Sequence, residues 1–191
     1  MSVVAEGAHA KGLEGVRLAK RYLESTTYIR LPFSVYEDSV QTTLVRLDGG
    51  KKIYDMAGHL LGDKPHPLAV EVKNYDAVGN QAAEYTEYLA NAYSITAHEI
   101  NERGDLRREF MWVTWHPFSQ SKWGKLTSGA EIKAAIEEHP EALGDSAFDT
   151  ELAARVASRL WLVVLSRRHE QLMLTSKELL QVFQVLERKG V

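Results

Sequence analysis

Between Tyr54 and Tyr85 the chain reads Tyr-Asp-Met-Ala-Gly-His-Leu-Leu, then Gly-Asp-Lys-Pro-His-Pro, then Leu-Ala-Val-Glu-Val-Lys-Asn-Tyr, followed by a polar helical pattern opening at Gln81. Two short apolar runs separated by a glycine and two prolines are strands joined by a turn, because those residues break a helix and bend an extended chain. The spacing predicts a β-hairpin. Side chains alternate between faces along a strand, which groups Asp55, Ala57 and His59 on one side of the first arm and Ala69, Glu71 and Lys73 on one side of the second. Met56, Gly58, Leu60, Val70 and Val72 take the other side, which is apolar enough to cover a core. Two carboxylates and a lysine then project together from neighbouring strands, and charges gathered in this way call for a chemical reason.

Composition narrows what that reason is. At 191 residues, the chain is long enough for a sizeable core and is expected to form a single domain. It has no cysteine, which rules out disulfides and thiolate metal sites, and its seven histidines show no ligand spacing, which argues against zinc. No apolar run reaches the roughly 20 residues of a membrane span and the N-terminus lacks a signal-peptide core, so a cytoplasmic protein without a membrane partner is expected. A formal net charge of -3 argues against holding nucleic acid by overall charge and confines any polyanion surface to a local patch.

Upstream of the hairpin, Ala10 to Ser25 carries Leu13, Val16, Ala19 or Lys20, and Leu23 on one helical stripe. Tyr28 to Asp38 is expected to be extended or irregular because of Pro32, Val40 to Leu47 alternates like a first strand, and Asp48-Gly49-Gly50 is a turn. Downstream, Val78 to Arg103 reads as a long helix stopped at Gly104, Phe110 to Trp115 as a strand, and Ser119 to Ser128 as a polar loop. Helices follow at Ala130 to Glu138 and Thr150 to Ser158. Leu160 to Leu165, with Gln171 to Thr175 after a turn at Arg167-Arg168-His169, is expected to make a second hairpin, and Ser176 to cap a terminal helix through Arg188.

The order helix, three strands, helix, strand, with an aspartate on the second strand and Glu-x-Lys on the third, resembles the PD-(D/E)XK nuclease superfamily over roughly residues 12–116. Asp55 matches the family's motif aspartate, Glu71-Val72-Lys73 its Glu-x-Lys, and Gln81-Ala82-Ala83-Glu84-Tyr85 the Gln-x-x-x-Tyr of its RecB-like branch. The family's leading helix often carries a glutamate beside the site. The Gly-Glu pair of some branches aligns with Gly15-Val16, where the acid is missing, which leaves Glu14 as the candidate. The resemblance implies an α/β fold with a restriction-endonuclease-like core, a central mixed β-sheet flanked by helices, and a C-terminal helical and hairpin extension over about residues 117–191.

It also implies a metal-dependent nuclease. Asp55 and Glu71, with Glu14 as a further candidate, would hold Mg2+, for which Mn2+ substitutes, because a hard cation takes carboxylate oxygens and keeps waters for a phosphodiester. Lys73 would orient the attacking water or stabilise charge on the phosphate, Gln81 would point back toward Lys73, and Tyr85, one turn further along the helix, would touch the nucleic-acid backbone.

Each residue has a plainer reading. A Glu-x-Lys on a strand is by itself a solvated strand face, and it is the joint order of Asp55, Glu71-Lys73 and Gln81-Tyr85 that favours the nuclease. Tyr88 and Tyr93 are assigned to a core stripe, His59 to a structural role, and Glu14 can equally be a surface helix residue. Basic residues on the first helix (Arg17, Lys20, Arg21), after the long helix (Arg103, Arg107, Arg108) and at Arg167-Arg168 are candidate phosphate contacts or ordinary surface. Trp123 between Lys122 and Lys125 is the best of these patches, since a ring stacks on a base while lysines hold the backbone. The expected activity is phosphodiester hydrolysis by an endonuclease, on DNA rather than RNA, with targeting by homo-oligomerisation or a partner protein. The alternative is a non-catalytic nucleic-acid-binding or assembly subunit that keeps the fold.

Overall fold

The structure is a computed structural model that describes residues 3–186 except 63 and 76, with side chains described from residue 10 to residue 185. The elements run α1 (Val3–Thr26), β1 (Ile29–Ser34), β2 (Thr43–Val45), β3 (Lys51–Ile53), β4 (Met56–Leu60), β5 (His66–Lys73) and α2 (Gln81–Arg103). Then come β6 (Glu109–Thr114), α3 (Gly129–Glu138), α4 (Thr150–Ala157), β7 (Leu160–Val164) and α5 (Ser176–Leu186), with short 3-10 turns between them. The fold is α/β. A mixed sheet of five strands in the order β1-β4-β5-β6-β7 carries helices on both sides, antiparallel from β1 to β5 and parallel from β5 to β7.

The apolar stripes explain the layers. Val16, Ala19 and Leu23 of α1 pack on the sheet face formed by Met56, Val70, Val72, Met111 and Val113. The opposite face carries Tyr54, Ala69, Phe110 and Trp112 and is covered by Tyr85, Tyr88, Leu89 and Ile95 of α2, with Ile132 of α3 and Val156 of α4 behind. The predicted hairpin is β4–β5, and its alternation divides the side chains between the two cores as the pattern requires. β5 is central and covered on both faces, so Glu71, only 5% exposed, is the one carboxylate in the apolar stretch 68–72 at the middle of that strand.

Several expectations are corrected. The first sheet strand is Ile29–Ser34, not Val40 to Leu47; Pro32 is tolerated because β1 is an edge strand and the register slips between Arg30 and Phe33. Gly58 of β4 makes room for that bulge, since a Cβ there would lie 1.9 Å from the Arg30 carbonyl oxygen. Val40 to Leu47 instead supplies β2 of a separate two-stranded ribbon, β2–β3, which turns at Asp48-Gly49-Gly50 with Gly49 at φ +76. The second hairpin does not form. Leu160–Val164 pairs in parallel with β6 as a sheet edge, so it belongs to the central sheet rather than to an appended unit, and Gln171 and Leu172 end a 3-10 turn. Helix α5 is capped by Thr175 rather than Ser176, through reciprocal bonds with Glu178 at 2.7 and 3.3 Å. The expected continuation to Arg188 lies outside the described residues. Among the described residues no helix is long and apolar enough to cross a membrane.

Candidate active site

Asp55 is the residue before β4, one step beyond the Met56–Val70 pair and therefore opposite Glu71. Its Oδ2 accepts the Val72 N–H at 2.7 Å, which fixes the carboxylate against β5. Burial, and after it the charge of Glu71, push the Asp55 carboxyl up to about 6, against the opposing pull of the Val72 N–H and the two nearby lysines. Glu71 Oε1 accepts from Lys73 Nζ at 3.0 Å and from Lys52 Nζ at 3.2 Å, while Oε2 is buried with no hydrogen-bond partner. Tyr54 Oη, Tyr88 Oη and Trp112 Nε1 are likewise buried without partners. These groups cluster around Glu71: Trp112 is its neighbour on β6, and its charge adds to burial in raising both phenols.

Lys73, at the end of β5, is held by Glu71 and by Glu84 Oε2 at 3.2 Å, over the face of Trp112. Burial acts to lower its pKa, but Glu71, Tyr75 and Glu84 together raise it, so the amine stays charged. The sheet therefore brings Asp55, Glu71 and Lys73 together. Gln81 is fully buried and its amide is engaged elsewhere: Oε1 accepts from Thr114 Oγ1 at 2.6 Å and Nε2 donates to the His116 carbonyl at 3.3 Å. It thus ties the start of α2 to the end of β6 instead of reaching for Lys73.

Tyr85 is corrected from a nucleic-acid contact to a core residue. It is 2% exposed, stacked on Tyr88 and edge-on to Trp112, and it donates to the Leu126 carbonyl at 3.2 Å. Tyr88 and Tyr93 are buried, as the helical stripe predicts. Glu14 is exposed on α1, although that helix does pass the site: a Cβ on Gly15 would meet Asn74 at 2.5 Å. His59 pairs with Arg30 and Pro67 further along β4, roughly 13 Å from Asp55 at the rise of a strand. Lys122, Trp123 and Lys125 lie exposed on a 3-10 turn, Gln120–Lys125, where Lys122 pairs with Glu131 at 3.4 Å and Trp123 meets Phe118 edge-on. Sequence reasoning missed Lys52 and Glu84. Glu84 sits one turn beyond Gln81, and that spacing was the available signal; Lys52 gave none, because its ribbon is brought to the site by tertiary contacts.

Two openings flank these groups. A cleft of about 320 Å³ lies at the carboxyl ends of β5, β6 and β7, lined by Asn74, Tyr75, Trp115, His116, Ser166 and Arg167. Another, of about 500 Å³, includes Arg17, Lys20 and Tyr36, and the Asp55 charge adds to burial in raising the Tyr36 phenol. The residues present fit a hard divalent cation: two facing carboxylates, one with an unpartnered buried oxygen, are an oxygen donor set that positive charge would relieve. Magnesium needs only one or two protein carboxylates when phosphate and water complete its shell.

No family model and no curated protein matches the chain. Among solved structures, the Cap4 SAVED/CARF-domain containing receptor of Moraxella osloensis is similar at 10% identity with a TM-score of 0.38. That likeness covers 92% of this chain and 40% of the receptor chain.

Proposed function

We propose that this protein is a magnesium-dependent nuclease that hydrolyses phosphodiester bonds, acting as an endonuclease on DNA in preference to RNA. The observation that carries the reading is the pair Asp55 and Glu71, two facing acids with a buried free oxygen and a charged lysine at their side. A cation held there would supply charge neutralisation at the phosphate and a more acidic water. Lys73, fixed between Glu71 and Glu84, places a permanent positive charge beside the reacting phosphate and orients the water through its remaining proton. Asp55 and Glu71 hold their geometry through the Val72 N–H and the lysine pairs. Arg17 and Lys20 on one flank, and Arg167 and His116 on the other, are available for phosphates either side of the cut, with Trp115 and Tyr75 for bases. The exposed Lys122, Trp123 and Lys125 offer a further contact, and a partner or a second copy would supply targeting.

The rival reading is a nucleic-acid-binding or assembly subunit without cleavage; among the described residues no group of three or more His, Asp and Glu side chains is placed to hold a metal, so a cation would rest on the two acids alone. Incubating the purified protein with plasmid DNA, single-stranded DNA and RNA, each with magnesium, manganese or EDTA, separates the two. Cutting that needs the metal supports the nuclease; binding without cutting under every metal supports the rival.

A further inference from the structure

We propose that Lys52 is the releasable cation of this site: it rests on Glu71 in the metal-free protein and transfers to the substrate phosphodiester when a divalent cation takes Glu71. The inference deepens the nuclease reading and rests on it. Two ammonium groups share Glu71 Oε1, yet they are anchored differently. Lys73 is also paired with Glu84 at 3.2 Å, so it keeps a carboxylate when Glu71 is withdrawn. For Lys52, Glu71 is the one carboxylate within ion-pair distance among the described residues; the Asp55 charge also acts on it from further off, and it lies over the face of Tyr54, 5.6 Å from the ring centre. A divalent cation on Glu71 repels both lysines, and the one without a second anchor is displaced.

The ribbon makes Lys52 available for that move without losing its place. Strands β2 and β3 lie outside the main sheet but are pinned to α2, where Arg46 donates to Asn91 at 3.2 Å and the Leu47 N–H donates to Ser94 at 3.0 Å. The Tyr54 N–H closes the base of the ribbon on the Thr42 carbonyl at 2.9 Å. The backbone therefore holds the long lysine stem at the rim of the acids, with the side chain still 22% exposed. A flexible, strongly hydrated ammonium on such a stem can reach a phosphate oxygen once its carboxylate is taken.

The exchange has a signature that a merely structural lysine would not give. Removing the charge should tighten metal binding and weaken substrate binding together. Titration calorimetry with magnesium alone should show Lys52→Met binding at least about fivefold tighter than wild type, and Lys52→Arg close to wild type. With calcium present to prevent cutting, a short DNA duplex should bind Lys52→Met about fivefold more weakly, with a salt dependence flatter by about one unit. In wild-type protein carrying labelled lysine, the Lys52 Nζ resonance should shift when magnesium is added; this readout stands even if a variant fails to fold. Magnesium binding that is absent, or that survives Asp55→Asn, overturns the metal reading and this inference with it. Binding that Asp55→Asn abolishes but Lys52→Met fails to tighten, or a Lys52 resonance indifferent to magnesium, overturns the role of Lys52 alone.

Discussion

Replacing Asp55 with asparagine should make the metal-free protein more stable at pH 8. In the fold its carboxyl is carried from an ordinary 3.8 to about 6, first by burial and then by Glu71. A carboxyl raised in the folded state favours folding only while protonated. Its contribution is complete below about 3.8 and is lost as pH rises through about 6. Converted directly, that displacement costs the fold up to about 3 kcal/mol at pH 8. That displacement already contains the pull of Lys52 and Lys73, but part of it comes from Glu71 and is shared between the two acids, so about 1–2 kcal/mol is the expected gain. Asparagine retains an oxygen to accept the Val72 N–H, so the change removes charge and little else. Urea unfolding in EDTA should show the variant and wild type nearly equal at pH 4 and separated in the variant's favour by pH 8. Excess magnesium should reverse the order, because at a hundred times its dissociation constant it adds about 2.7 kcal/mol to wild type and nothing to a variant that cannot bind it. A gap independent of pH, or a variant less stable at pH 8 in EDTA, would mean that the Asp55 charge does not oppose folding.

Tyr85→Phe should lower stability by about 1 kcal/mol through loss of the bond to the Leu126 carbonyl, and should leave DNA affinity unchanged in a filter-binding assay, because the ring is in the core. Gly58→Ala should destabilise by about 3 kcal/mol or more in thermal unfolding, since the added methyl meets the Arg30 backbone and only a shift of β1 can relieve it.

The hairpin, both long helices and the strand after α2 were legible because each carries a clear apolar period and a breaker at its end. Asp55, Glu71 and Lys73 were legible for the same reason: alternation along β4 and β5 decides which face a side chain takes. The strand at Ile29–Ser34 was hidden by Pro32, whose usual meaning is reversed on an edge strand with a bulge. β7 was misread as half of a hairpin because an apolar run does not reveal whether its partner is the next segment or a strand fifty residues earlier. Tyr85 was ambiguous in principle, since a tyrosine at helical spacing suits a core or a binding face equally, and the aromatic cluster of Tyr88, Trp112 and Phe118 settles it. Lys52 was invisible because its place beside Glu71 depends on how a separate ribbon docks on α2.

If Asp55, Glu71 and Lys73 form one hydrolytic site, single-turnover cleavage of DNA by wild type and Lys73→Ala, read beside magnesium binding by both, will separate the lysine's role from that of the acids. The variant should still bind magnesium yet cut at least about a hundredfold more slowly, because Lys73 acts on the water and phosphate while the two acids hold the cation. Equal rates for the two proteins, or no cutting by wild type with any divalent metal despite DNA binding, would contradict it.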